Sequence, residues 1–185
     1  MKTPLLVATI ATLTGMRIAF LFGQGPESVE SWFAPLLVQN PTQEYHQRLI
    51  AAPERIRIPQ ATIDLAVRSA TNAGNSYEFF EGKASYLATS AKPGEWGNAV
   101  VYAHNEKELF GPLSDVIPGE KVLIEGEGKI KSYIVSEIRV VSPAEVGVIA
   151  QTPDERLTLL TCIGPEKSHR LIIIAKPTSA FAALL

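Results

Sequence analysis

The chain has 185 residues, enough for one sizeable core once an anchor and a connecting stretch are set aside. Its residues are 46% hydrophobic and 19% charged, which excludes a disordered chain, and a net charge of -2 argues against a nucleic-acid binder. One cysteine excludes an internal disulfide framework and a thiolate zinc centre, leaving that thiol two fates: a small buried hydrophobe or a reactive group.

The stretch PLLVATIATLTGMRIAFLF (4–22) is apolar apart from Arg17 and predicts a helix of about 29 Å, long enough to span a bilayer. Lys2 precedes it and Glu27 and Glu30 follow, so the positive-inside rule puts the N-terminus in the cytoplasm and the rest outside. A cleaved signal peptide is the alternative, but no small-x-small site follows the apolar core. Residues 24–53, with Pro26, Pro35, Pro41 and Pro53, read as a stalk holding a short helix over 41–52.

From residue 54 the texture is strand-like. RIRIP (55–59) and TIDLAV (62–67) alternate polar with apolar residues, and NAVVYAH (98–104) reads as a more fully buried strand after the turn KPGEWG (92–97). A short helix is predicted over 107–116. EKVLIEG (120–126) and KIKSYIVSEIRVV (129–141) predict a hairpin, and 142–155 a loop with at most one helical turn. RLTLLTC (156–162) and HRLIIIAKP (169–177) are two more strands. The expected class is mainly β: a closed, eight-stranded, antiparallel-rich barrel over 54–177 with few short helices, behind an N-terminal transmembrane helix at 1–23, with 178–185 as a short tail.

Cys162 ends a predicted strand, where a loop-lined surface gives access, and His104 ends another; such a pair can exchange a proton and activate a thiolate. His46 falls in the stalk helix and reads as solvated. His169 neighbours Arg170, so only one of the two can share a face with the Cys162 side. Arg170 either stabilises an oxyanion beside Cys162 or pairs with Glu166 on the surface; Thr161 either contributes to that oxyanion or is a plain strand residue. No histidine spacing supports a metal site.

TLLTC (158–162), with Arg170 eight residues on, resembles the sortase signature, and KPGEWGNAVVYAHN (92–105) is similar to that family's PGxxGNxxxxxH segment. RIRIPQATIDLAV (55–67) and LFGPLSDVIPGEKVLIE (109–125) resemble its opening strands and the stretch after its histidine. The resemblance implies a membrane-anchored cysteine transpeptidase on an eight-stranded barrel. Cys162 would attack the Thr–Gly bond of an LPxTG-like sorting signal and form a thioester, with His104 as acid and base. Arg170 would hold the oxyanion, helped by Thr161. The implied partners are surface proteins bearing the signal and a cell-wall or pilin amine as acceptor. Ala103 and Ile163 depart from the residues that often flank the motif histidine and cysteine, and no Asp-Pro-aromatic lid motif precedes the barrel. The architecture looks most like class D or E. Some members use calcium bound by acidic loop clusters; Asp154 and Glu155 alone do not make one, so no cofactor is expected. Two other readings are a secreted cysteine hydrolase with the same Cys–His pair and a silent binding barrel with Cys162 buried.

Overall fold

The computed structural model describes residues 50–73 and 76–178, all within one compact unit, Glu44–Leu185. The predicted anchor, most of the stalk and its helix, and the tail beyond Thr178 lie outside the described residues. Among those that are described, no helix is long and apolar enough to cross a membrane.

Among the described residues ten strands run in chain order: β1 Arg55–Ile58, β2 Ile63–Ala70, β3 Asn72–Ala73, β4 Ser76–Tyr77, β5 Ala84–Leu87, β6 Gly97–Tyr102, β7 Lys121–Gly126, β8 Lys129–Val141, β9 Glu155–Ile163 and β10 His169–Pro177. Eight close into a barrel in the order β1-β2-β5-β6-β9-β10-β8-β7, and β3 pairs β4 in a separate two-stranded sheet. β7 returns to β1 to seal the cylinder. Pairing is antiparallel except at β2–β5 and β6–β9. The predicted barrel is therefore present, and its strand edges are consumed by closure.

Alternation along each strand decides what fills the barrel. In β1 and β2 the apolar positions Ile56, Ile58, Ile63, Leu65 and Val67 point inward while Arg55 and Asp64 face solvent as an ion pair. β10 carries an unbroken apolar run because both of its faces are covered. Leu171, Ile173 and Ala175 join the interior, whereas Ile172 and Ile174 pack outside with Val141. β9 and β6 are split in the same way. Leu157 and Leu159, with Ala99, Val101 and Ala103, enter the core, which leaves Leu160, Val100 and Tyr102 on the outer face.

The chain preceding β1 is tied to one end of the cylinder. Ile50 is fully buried and its N–H donates to the Pro93 carbonyl at 2.9 Å. Gly126 permits this crossing, because a Cβ there would lie 2.3 Å from the Ala52 carbonyl oxygen. At that same end Tyr133 is buried: its hydroxyl donates to Glu155 and accepts from the Gly94 N–H, each at 3.0 Å. Lys131 completes the group with an ion pair to Glu155 at 3.0 Å.

Candidate active site

The two-residue period of the strands brings Cys162, His104 and Arg170 to one place. In β9 the inward positions are Leu157, Leu159 and Thr161, so Cys162 shares the outer face with Leu160. In β6, Tyr102 pairs with Leu160, and two residues further along each parallel strand stand His104 and Cys162. In β10, Arg170 lies directly across from Cys162. All three side chains, each half-buried, line one groove of about 310 Å³ on the outer face of the barrel.

The groove has an apolar floor and two unlike walls. Val100, Tyr102 and Leu160 form the floor; Val146, Val148 and Ile149, from the 3-10 turn Val146–Ile149, form one wall. The other side is aromatic. Phe79 stacks on the His104 imidazole with ring centroids 4.1 Å apart and planes 13° from parallel. Tyr77 and Phe79 meet Tyr102 edge-on at 5.5 and 5.1 Å. The Tyr102 hydroxyl donates to the Glu78 carbonyl at 2.8 Å, tying β6 to the aromatic segment. Burial pushes the Tyr102 phenol up to about 12, so this donor keeps its proton throughout the neutral range.

Arg170 is set by backbone. Its Nη1 donates to the carbonyls of Lys167 at 2.8 Å and His169 at 3.1 Å. The turn that presents the Lys167 carbonyl holds Glu166 and Lys167 at φ of 50° and 60°, a left-handed conformation that costs L residues roughly 1–2 kcal/mol each. No ion pair between Arg170 and Glu166 forms among the described residues, so the surface pairing weighed from the sequence is replaced by this carbonyl clamp. The guanidinium has five N–H donors in a planar fork, and those on Nε and Nη2 are not used by the clamp.

Thr161 goes elsewhere. It is buried in the barrel, and its hydroxyl donates to the Ala103 carbonyl at 2.9 Å. That bond fixes the β6 end just before His104, on the face opposite the groove, so the hydroxyl is not brought to Cys162. His169 also points away from the groove, with Nδ1 3.0 Å from the Ser168 hydroxyl. His46 lies outside the described residues.

Asp154 and Glu155 are occupied by cations of the protein itself, Lys176 and Arg156 for the first and Lys131 for the second. A hydrogen bond from Lys176 holds the Asp154 carboxyl below the usual range. Among the described residues no group of three or more His, Cys, Asp and Glu could hold a metal ion.

A thiol, an imidazole and a guanidinium converging on a partly enclosed groove form the set of groups that nucleophilic acyl transfer uses. The family model for the sortase domain matches residues 56–178, all of the barrel but its first residue. Sortase A of Streptococcus agalactiae serotype III (strain NEM316) is 40% identical over 73 residues, 39% of this chain and 30% of that protein. Sortase A of Listeria monocytogenes serovar 1/2a (strain ATCC BAA-679 / EGD-e) is 30% identical over 125 residues, 65% of this chain and 54% of that protein. The chain therefore spans little more than half, at most, of these two relatives. The solved structure of Listeria monocytogenes sortase A superposes with a TM-score of 0.58 at 28% identity, covering 69% of this chain and 87% of that one. A Clostridium perfringens sortase D5 transpeptidase gives 0.59 at 22% identity, over 80% of this chain and 94% of its own, a likeness of fold. The chain belongs to the sortase family.

Proposed function

We propose that this protein is a cysteine transpeptidase that cleaves an LPxTG-like sorting signal and passes the acyl fragment to an amine. The observation that carries the reading is the meeting in one groove of Cys162 on β9, Arg170 on β10 and His104 just past the end of β6. The Cys162 thiolate adds to the scissile carbonyl carbon, and Arg170 offers N–H donors to the oxygen that gains charge. Collapse breaks the C–N bond as His104 gives its proton to the departing amine, leaving a thioester on Cys162. An incoming amine then gives a proton to His104 and attacks the thioester, which releases the product and restores the thiolate. A cell-wall peptide amine or a pilin lysine is the acceptor in this reading. No group outside the chain is needed for these steps.

The apolar run at 4–22, with Lys2 before it and Glu27 and Glu30 after it, supports an N-terminal membrane anchor with the barrel outside the cell. That run and the short β9–β10 connection at 164–168 favour class D or E. A silent binding barrel required a buried Cys162, whereas the thiol is half-exposed and lines the groove.

Transpeptidation and hydrolysis separate on product analysis. With a sorting peptide and triglycine supplied together, the ligated peptide should be the main product. If the free acid dominates at every triglycine concentration, the protein is a hydrolase with the same Cys–His pair.

A further inference from the structure

One wall of the groove is held from beneath by a single buried amide. Asn98, the second residue of β6, is fully buried. Its Nδ2 donates to the carbonyls of Val148 and Ala150, both at 3.1 Å, and its Oδ1 accepts from the Thr158 hydroxyl at 2.7 Å. Both amide hydrogens and the amide oxygen are thus engaged, and the carbonyls they hold belong to a loop with no strand ladder of its own. The Asn98 backbone N–H adds a fourth contact, to Gln151 Oε1 at 3.3 Å. Close approach here depends on Gly97 (φ +126°): a Cβ at that position would lie 2.5 Å from the same Gln151 oxygen and 2.8 Å from the Ala91 Cβ. Above the amide, Val148 packs on the Val141 and Ile172 cluster and Ile149 on the Val100 and Tyr102 cluster. Val146 remains 67% exposed at the groove.

We propose that Asn98 is a positioning residue for substrate binding: it pins residues 146–151 in place before substrate arrives, so that the peptide meets a finished wall. Asn98 touches neither Cys162 nor the groove, and it acts through the loop. Its contribution is to affinity, by ordering the loop ahead of binding, and not to the chemical step. The inference rests on the groove being the peptide site.

Asn98→Asp tests it with almost no change of shape. The carboxylate still accepts from Thr158, but an oxygen replaces the donor that faced two carbonyls. Losing two buried bonds and opposing the carbonyls should raise KM for a sorting peptide about tenfold or more, with kcat within about twofold of wild type. Amide hydrogen exchange over 146–151 should quicken about tenfold in the same variant, measured without substrate. Thr158→Val is the control: it removes the bond on the far side of Asn98 and should lower the melting temperature without changing KM or loop exchange. Gln151→Ala, at an exposed position, provides the same readouts should Asn98→Asp not fold, with a KM rise of about threefold for the one bond lost. Wild-type loop exchange in Asn98→Asp overturns the proposal, as does a KM rise that Thr158→Val reproduces or a loss confined to kcat. Because exchange needs no turnover, it decides the role of Asn98 even if the wild-type protein cleaves no sorting peptide, an outcome that would count against the proposed function alone.

Discussion

Cys162→Ala should abolish peptide turnover while the barrel stays folded. The side chain is half-exposed at the end of β9, and its sulfur takes no part in the interior cluster, so its removal leaves no buried cavity. With the sulfur gone no thioester can form, and the covalent route closes completely. His104→Ala should lower kcat/KM by about 10²–10⁴, the usual contribution of a positioned proton donor and acceptor. This variant also loses the stacked contact with Phe79, about 0.5–1.5 kcal/mol of stability, so a slightly lower melting temperature is expected for it and none for Cys162→Ala. The check is kcat/KM on one sorting peptide beside thermal melts. Normal turnover in Cys162→Ala would rule out covalent catalysis at this groove.

Arg170 separates a structural from a catalytic role more sharply. Its two carbonyl bonds tie down the β9–β10 turn, and bonds of that kind contribute about 1.5–3 kcal/mol at most when the donor is charged, less at an exposed site. If that were its whole role, Arg170→Ala would lower the melting temperature and spare turnover. If its remaining donors face the developing oxyanion, the loss should appear in kcat, at about 10²–10³ for one such group. Arg170→Lys should recover little, since an ammonium on a flexible stem cannot hold two carbonyls and still present a fork to substrate. Glu166→Ala should leave turnover unchanged, because Glu166 forms no ion pair with Arg170. Wild-type kcat in Arg170→Ala would leave Cys162 and His104 to account for the chemistry alone.

How far the sequence alone carries the fold depends on strand length. β8 and β10 have the bounds that their composition predicts, because long β-branched runs are bracketed by turn residues: Gly126 and Gly128 before one, Gly164 and Pro165 before the other. β5 escapes notice. Four residues, ASYL, show no alternation because all four are buried by neighbouring strands and outer cover, and the eighth barrel strand is therefore invisible to periodicity. The helix expected over 107–116 is only the 3-10 turn Gly111–Asp115, shortened by Gly111 and Pro112, which disfavour a longer helical ladder.

The site divides in the same way. Cys162, His104 and Arg170 are legible because each stands at a strand end and within a recognisable stretch of residues. Strand parity also argues against a groove-facing Thr161 side chain, since a residue adjacent to an outward Cys162 must point inward. Phe79 carries no such local signal, and Asn98, although it falls on the Asn of the PGxxGNxxxxxH-like stretch, gives no local hint of which loop it holds. Phe79 reaches His104 from a segment before β5, and Asn98 reaches its loop across roughly fifty residues of chain, so the first contact exists only once β5 lies beside β6 and the second only once β6 lies beside β9. Topology creates them, and a single sequence read locally does not hold that information.

If Cys162 carries the acyl group, intact-protein mass measurement should catch it there. The protein is mixed with a sorting peptide in the absence of added amine and quenched in acid during turnover. The expected result is a mass increase equal to the acyl fragment of the peptide, confined by proteolytic mapping to the fragment containing Cys162 and discharged when triglycine is added. Turnover that proceeds with no adduct at any time, and a Cys162→Ala protein that turns over equally well, would contradict it.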